Sequence, residues 1–100
     1  MAGGDAVQIA PDVYKVVLED DHVRVLGTRT GSGDSSEMHS HPNMVGYAIS
    51  DCTWALTAPD GTTVLVAVKA GKTVYLGAVD HSAHDVRTIG SQALLIELKE

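Results

Sequence analysis

The chain has 100 residues, of which 44% are hydrophobic and 20% are charged, and its formal net charge at pH 7 is −6. We expect a single domain over residues 1–100, with residues 1–11 as an irregular N-terminal segment, because a chain of this length buries only one core. The acidic balance argues against nucleic-acid partners, and no apolar run approaches the roughly 18 residues that a membrane span needs.

The beginning of the chain lacks the basic head and the apolar core of a secretory signal. Cys52 is the only cysteine, so the chain cannot form an internal disulfide. Both observations favour a cytoplasmic protein.

Short apolar segments rich in β-branched residues alternate with turn residues along the chain, and no apolar stripe has helical spacing. The predicted strands span residues 13–18, 23–30, 37–41, 44–50, 53–57, 62–68, 73–76, 85–88 and 93–98. Pro59, Asp60 and Gly61 lie between two apolar runs and predict a hairpin turn. So many short strands predict an all-β sandwich or barrel, because an open sheet would leave long unpaired edges.

Two histidines lie one residue apart in the predicted strand 37–41. Alternate side chains of a strand point to the same face, so His39 and His41 project together, as chelation of one ion requires. Two imidazoles hold a metal poorly, so a third ligand must come from elsewhere in the chain. The best candidate is His81, which follows the predicted strand 73–76, and the alternative is His84.

A glycine, five further residues and a His-x-His pair occur at Gly33, His39 and His41, and a second glycine, Gly71, precedes the strand that leads to His81. These spacings match the two motifs of the cupin family, and the chain resembles a small single-domain cupin over nearly its whole length. The resemblance implies a cupin-type double-stranded β-helix, which is a jelly-roll barrel. It also implies a homodimer and one divalent transition metal (Fe, Mn, Ni, Cu or Zn) bound by His39, His41 and His81.

The position of the fourth metal ligand departs from the family pattern. Cupins usually carry a glutamate, and some small members a histidine, where alignment on strand 44–50 puts Met44 in this chain. Met44 is either a soft thioether ligand, which would favour copper, or a flexible filler of the pocket floor. Glu37 shares the strand parity of the histidines, but a residue at a loop edge is usually solvated, so we do not expect it to bind the metal.

The same resemblance points to residues around the metal. His84 stands where many relatives carry an acidic or polar residue, and we interpret it as a catalytic acid or base, or as a partner that orients a ligand imidazole. If Met44 points inward, Gly46 and Ala48 do so as well and leave space for a small molecule. Relatives often carry an aromatic residue at the place of Tyr75, which makes it a candidate for the pocket wall.

An open divalent site in an apolar barrel suits a small oxygenated substrate such as an enol, a diketone or a hydroxy acid, because neighbouring oxygens chelate the ion. The family includes dioxygenases, isomerases and cyclases, so we expect a metal-dependent enzyme of one of these types acting on a small molecule. The alternative is a non-catalytic cupin that binds a metal or a small ligand for sensing or storage.

Overall fold

The computed structural model describes residues 4–31, 33–86 and 90–99, in which nearly all regular structure is strand. The elements are β1 Gly4–Asp5, α1 Ala6–Ile9, β2 Tyr14–Glu19, β3 Val23–Thr30, β4 Ser35–His41, β5 Met44–Ala48, β6 Cys52–Thr57, β7 Thr63–Val68, β8 Thr73–Leu76, β9 Val79–Asp85 and β10 Ser91–Leu98.

The strands form two five-stranded sheets that pack face to face. One sheet has the order β1-β4-β9-β6-β7 and the other the order β2-β3-β10-β5-β8. Among the described strands every pairing is antiparallel except that of β1 with β4. Apart from the pairs β2-β3 and β6-β7, which stay within one sheet, successive strands cross from one sheet to the other, as in a jelly roll. The all-β prediction is confirmed.

The central strand β10 of the second sheet contributes side chains to the buried core. Its side chains alternate between buried and half-buried, which places Ala93 and Leu95 on the inner face. Leu95 pairs with Leu26 on one side and with Gly46 on the other. Leu26 is completely buried, and its truncation to alanine is expected to cost about 2–5 kcal/mol of the free energy of unfolding.

The N-terminal segment is not irregular throughout, in contrast to our expectation for residues 1–11. Gly4 pairs in parallel with His39, and Asp5 with Ser40, while residues 6–9 form the single turn of α1. Ala6 is completely buried in the main core cluster. The small and polar residues of β1 show no strand pattern, and its pairing partner lies more than 30 positions away, so the sequence did not predict this strand.

The other predicted strands agree with the structure to within two residues, except the one expected at residues 85–88. That strand is β9, which begins at Val79 and ends at Asp85, and residues 87–89 lie outside the described part of the chain. Its sequence contains few apolar residues, but β9 pairs with β4 on one side and β6 on the other. Pairing on both edges determines its conformation, which local composition does not reveal.

The hairpin predicted at residues 59–61 joins β6 and β7. Thr57 pairs with Thr63, and Gly61 adopts a φ of 90°, which a residue with a side chain rarely accepts. In the residues that the structure describes, no helix has the length and apolar character to cross a bilayer.

Candidate metal centre

Two neighbouring strands carry three buried histidines. His39 and His41 lie on β4, and His39 pairs directly with His81 on β9. Directly paired residues of antiparallel strands point to the same face, and alternation places His41 there as well. The three side chains project between the sheets, where His39, His41 and His81 keep only 0%, 3% and 5% of their surface exposed.

The three rings are close enough to contact one ion. Ring centroids are 4.8 Å apart for His39 and His41, 4.9 Å for His39 and His81, and 5.2 Å for His41 and His81. One ring nitrogen of each residue lies within 4.8 Å of the other two. No other group of three or more His, Cys, Asp or Glu side chains in residues 4–31, 33–86 and 90–99 meets this geometry.

A buried carboxylate determines where His41 carries its proton. His41 Nδ1 and Arg24 Nε donate to the two oxygens of Glu97, each at 2.8 Å. Burial by itself raises the pKa of Glu97, but the hydrogen bonds from His41 and Arg24 and the charge of Arg24 hold this pKa below its ordinary value. Glu97 is therefore ionised and only accepts, so His41 Nδ1 donates, and in the neutral ring the lone pair is on Nε2.

Arg24 connects this carboxylate to the N-terminal segment. Its Nη1 and Nη2 atoms donate to the two oxygens of Asp5, while Nε and Nη2 face Glu97. The hydrogen bond from Arg24 lowers the pKa of Asp5, which keeps the pair ionised. Asp5, Arg24 and Glu97 thus form a continuous line of charges that ends on His41.

The proton of His39 is located by a similar argument. Its Nδ1 lies 2.7 Å from the main-chain oxygen of Glu37, which only accepts, so Nδ1 donates. The hydroxyl of Tyr14 then donates to His39 Nε2 at 3.2 Å. Burial raises the pKa of Tyr14 to about 12, so this hydroxyl stays protonated at neutral pH.

The protonation of His39 and His81 suits a metal. Burial lowers the pKa of His39, and burial followed by the neighbouring charges of His39 and His41 lowers the pKa of His81 to about 4. A metal requires neutral imidazole, which these pKa values provide at neutral pH. His41 Nε2 is buried and has no hydrogen-bond partner among the described residues, so in the neutral ring its lone pair is available to an ion. The residues present therefore fit a divalent transition metal.

A cavity of about 50 Å³ lies beside His41 and His81. Apolar side chains form much of its wall: Val13, Met44, Trp54, Leu56, Leu76, Ala83 and Leu95. Polar side chains form the remainder: Tyr14, Thr28, Thr30, Asp34, Ser35, Ser36 and Asp85. An apolar wall with a few polar groups is typical of a site for a small organic molecule.

The three residues predicted around the fourth ligand position all point inward. Met44 is 1% exposed, lines the histidine cavity and packs in the core with Tyr14 and Leu26. Gly46 and Ala48 are buried too, but they line a separate apolar void of about 20 Å³. Of these three residues, Met44 alone lines the cavity next to the histidines.

Two other predicted residues lie away from the cavity. Tyr75 is 60% exposed and pairs with Val45, so it belongs to the outer face of its sheet. His84 is exposed on β9, three positions from His81, and an odd separation along a strand turns the two side chains to opposite faces. The expected roles of Tyr75 in the pocket and of His84 in catalysis do not fit these positions.

The shared parity expected for Glu37 and the histidines is interrupted by a β-bulge. Ser36 pairs with Ala83 and His39 with His81, so β4 contains one residue more than β9 between these pairs. The extra residue turns the Glu37 side chain to solvent and leaves Ser36 and His39 both facing inward. Glu37 contributes its main-chain oxygen to the site instead of its carboxylate.

Sequence reasoning missed Glu97 and Tyr14. For Glu97 a signal was present, since alternation through Ala93 and Leu95 places this acid on the inner face of an apolar strand. Tyr14 offered no comparable signal, because its contact with His39 joins residues 25 positions apart.

Several solved structures are similar to this chain in fold. A cupin domain from Bordetella pertussis Tohama I superposes with a TM-score of 0.80 at 20% identity, covering 100% of this chain and 99% of that one. A protein with a double-stranded β-helix domain from Klebsiella pneumoniae gives 0.68 at 19% identity, covering 87% and 76% of the two chains. An RmlC-like cupin from Shewanella frigidimarina gives 0.59 at 16% identity, covering 87% and 75%. Neither the protein-family models nor the curated proteins contain a match to this sequence.

Proposed function

From the cupin fold of this chain and its three converging histidines, we propose that the protein is a metal-dependent enzyme acting on a small oxygenated organic molecule. The proposed ligands of one divalent transition metal (Fe, Mn, Ni, Cu or Zn) are His39, His41 and His81. The substrate class is an enol, a diketone or a hydroxy acid, and the reaction is of dioxygenase, isomerase or cyclase type.

The observation that carries this proposal is the buried nitrogen of His41. A buried polar atom without a partner costs about 1–3 kcal/mol, so such atoms are rare in native proteins unless a ligand satisfies them. His41 Nε2 is in this state, and Glu97 accepts from Nδ1, so the neutral ring has its lone pair on Nε2. His39 and His81 supply two further neutral rings within contact distance of one ion.

The chemistry expected at the site follows from these groups. A bound ion would act as a Lewis acid on a substrate oxygen and lower the cost of forming an enolate. The chain contributes the orientation of the imidazoles through Glu97 and the Glu37 carbonyl, and a cavity with a largely apolar wall. The charge of Arg24 is neutralised by Asp5 and Glu97 and stays outside the cavity wall.

One observation favours the alternative of a non-catalytic protein that binds a metal or a small ligand. The histidine expected to transfer protons, His84, lies on the outer face and not in the cavity. An oxygen-uptake and isomerisation screen of the metal-loaded protein with diketones and enols separates the two functions. Turnover supports the enzyme, whereas tight binding of these compounds without turnover supports the binding protein.

Metal analysis of protein prepared without a polyhistidine tag tests the site. We expect about one transition metal per chain after loading, and loss of that metal in His41→Ala. His84→Ala is the matched control, because it removes an exposed histidine on the neighbouring strand, and it should retain the metal. A wild-type chain that takes up none of the five metals would refute the proposal.

We also propose that two copies associate through the outer face of the sheet β2-β3-β10-β5-β8. Its register aligns five apolar side chains in one row across the sheet: Tyr75, Val45, Ile96, Val25 and Leu18. Tyr75 and Leu18 at the ends are 60% and 50% exposed, which is unfavourable for a surface that stays in water. Sedimentation should show a dimer that Ile96→Lys converts to a monomer, and a monomeric wild type would contradict this interface.

A further inference from the structure

We propose that Tyr14 and Ser36 form an oxygen-binding subsite beside the three histidines, and that the Tyr14 hydroxyl covers the metal-binding nitrogen of His39 until an ion displaces it. This inference rests on the proposed function. The ligand it selects is a carbonyl or enolate compound whose oxygen atom accepts hydrogen bonds from both hydroxyls.

Tyr14 is the only buried residue of β2, and its ring lies against the histidines. The centroid of its ring is 5.2 Å from that of His39 and 5.5 Å from that of His41, both in edge-to-face contact. Its hydroxyl reaches His39 Nε2 at 3.2 Å, and only 5% of the residue is exposed. The packed ring keeps the hydroxyl at the site whether or not His39 remains its acceptor.

Ser36 supplies the independent observation. It is 8% exposed, and its Oγ makes no hydrogen bond of normal geometry among the residues that the structure describes. Its side chain interacts with that of Tyr14, so the two hydroxyls are neighbours. The bulge of β4 turns Ser36 to the same face as His39, and Ser36 lines the cavity that His41 and His81 also line. Two buried polar atoms that lack a hydrogen bond of normal geometry, Ser36 Oγ and His41 Nε2, therefore belong to residues that line one cavity, which indicates that the cavity receives a polar ligand.

Metal binding would change what the Tyr14 hydroxyl contacts. An ion held by His39 needs the same Nε2 lone pair to which Tyr14 donates, so the ion and the hydroxyl compete for that nitrogen. Once displaced, the buried hydroxyl needs another acceptor, and an oxygen of a bound ligand satisfies it. Ser36 offers a second donor in the same cavity. Tyr14 and Ser36 would then orient the ligand, while the histidines hold the metal.

This competition predicts opposite effects for one substitution. Tyr14→Phe keeps the ring but removes the hydroxyl, so it should tighten nickel binding by about 2- to 10-fold and weaken acetylacetone binding to the nickel-loaded protein by a similar factor. Ser36→Ala should leave nickel affinity unchanged and weaken acetylacetone binding by about 2- to 10-fold. General damage to the fold would weaken both nickel binding and acetylacetone binding, so it would not produce opposite effects on the two.

The experiment measures nickel affinity by chelator competition and acetylacetone binding by calorimetry, with retained nickel determined in each sample. Tyr75→Phe and Ser82→Ala are matched controls, since Tyr75 is exposed on the outer face and Ser82 faces away from His81 on β9; both should behave as wild type. Unchanged acetylacetone affinity in both test variants, or weaker nickel binding in Tyr14→Phe, would overturn the subsite. If the wild type binds nickel but no acetylacetone, the subsite alone fails; if it binds no metal, the proposed function fails with it.

Discussion

Acidification should destabilise the metal-free protein through His81. Burial, together with the neighbouring charges of His39 and His41, lowers the pKa of His81 to about 4 from an ordinary value of 6.5. Because the pKa is lower in the folded state, the unfolded chain binds more protons between these two values. Stability is therefore constant with respect to this group above pH 6.5 and is lost as the pH falls towards 4.

The size of the effect follows from the difference between the two pKa values, which is about 2.5. Each unit corresponds to about 1.36 kcal/mol, so His81 accounts for a loss of about 2 kcal/mol by pH 5 and about 3 kcal/mol below pH 4. The lowered pKa of His39 acts in the same direction. Glu97 adds a further loss at lower pH, because its lowered pKa means that it too must be protonated on acid unfolding. A domain has a free energy of unfolding of only about 5–15 kcal/mol, so a loss of this size is measurable.

Urea unfolding of chelator-treated protein at pH 7, 6 and 5 provides the assay, with the fluorescence of the single tryptophan, Trp54, as the signal. The His81→Gln variant should lose about 2 kcal/mol less than the wild type between pH 7 and pH 5. His84→Gln changes an exposed histidine on the same strand and should follow the wild type. Equal pH dependence in wild type and His81→Gln would show that burial of this imidazole does not control acid stability.

Three further predictions test the structure. Glu97→Gln removes the charged acceptor of His41 Nδ1 and should weaken metal binding by about 10- to 100-fold, as measured by chelator competition. An unchanged metal affinity would exclude an orienting role of Glu97. Gly90→Ala would place a Cβ against the backbone oxygen of Thr30 at a φ of 79°, whereas the Cβ of Gly71→Ala meets open space at a φ of 81°. Gly71→Ala should lose about 1–2 kcal/mol of the free energy of unfolding and Gly90→Ala more, and equal losses would argue against the close contact. Met44→Leu should keep the copper affinity and lose less than about 1.5 kcal/mol of stability, because Met44 packs in the core. A large fall in copper affinity would identify the sulfur of Met44 as a ligand.

Much of the fold could be predicted because strand patterns are local. Apolar alternation and turn residues located eight of the strands to within two residues, including the β6 to β7 hairpin at Gly61. The apolar pattern did not predict strands whose conformation depends on pairing with neighbouring strands and not on their own composition. β1 and β9 contain few apolar residues, and they are strands because β4, and for β9 also β6, provides their hydrogen-bond partners.

The spacing of His39 and His41 and the presence of His81 were sufficient to predict, with the family resemblance, that three imidazoles would meet. Parity along a strand is a local property, so it can be read from sequence wherever the strand is regular. The tertiary structure alone decided the rest. A one-residue bulge turned Glu37 outward and Ser36 inward, and the true extent of β9 placed His84 on the outer face. The partners of the histidines, Tyr14 and Glu97, come from strands 25 and 56 positions away, and no local pattern encodes which distant side chains share a cavity.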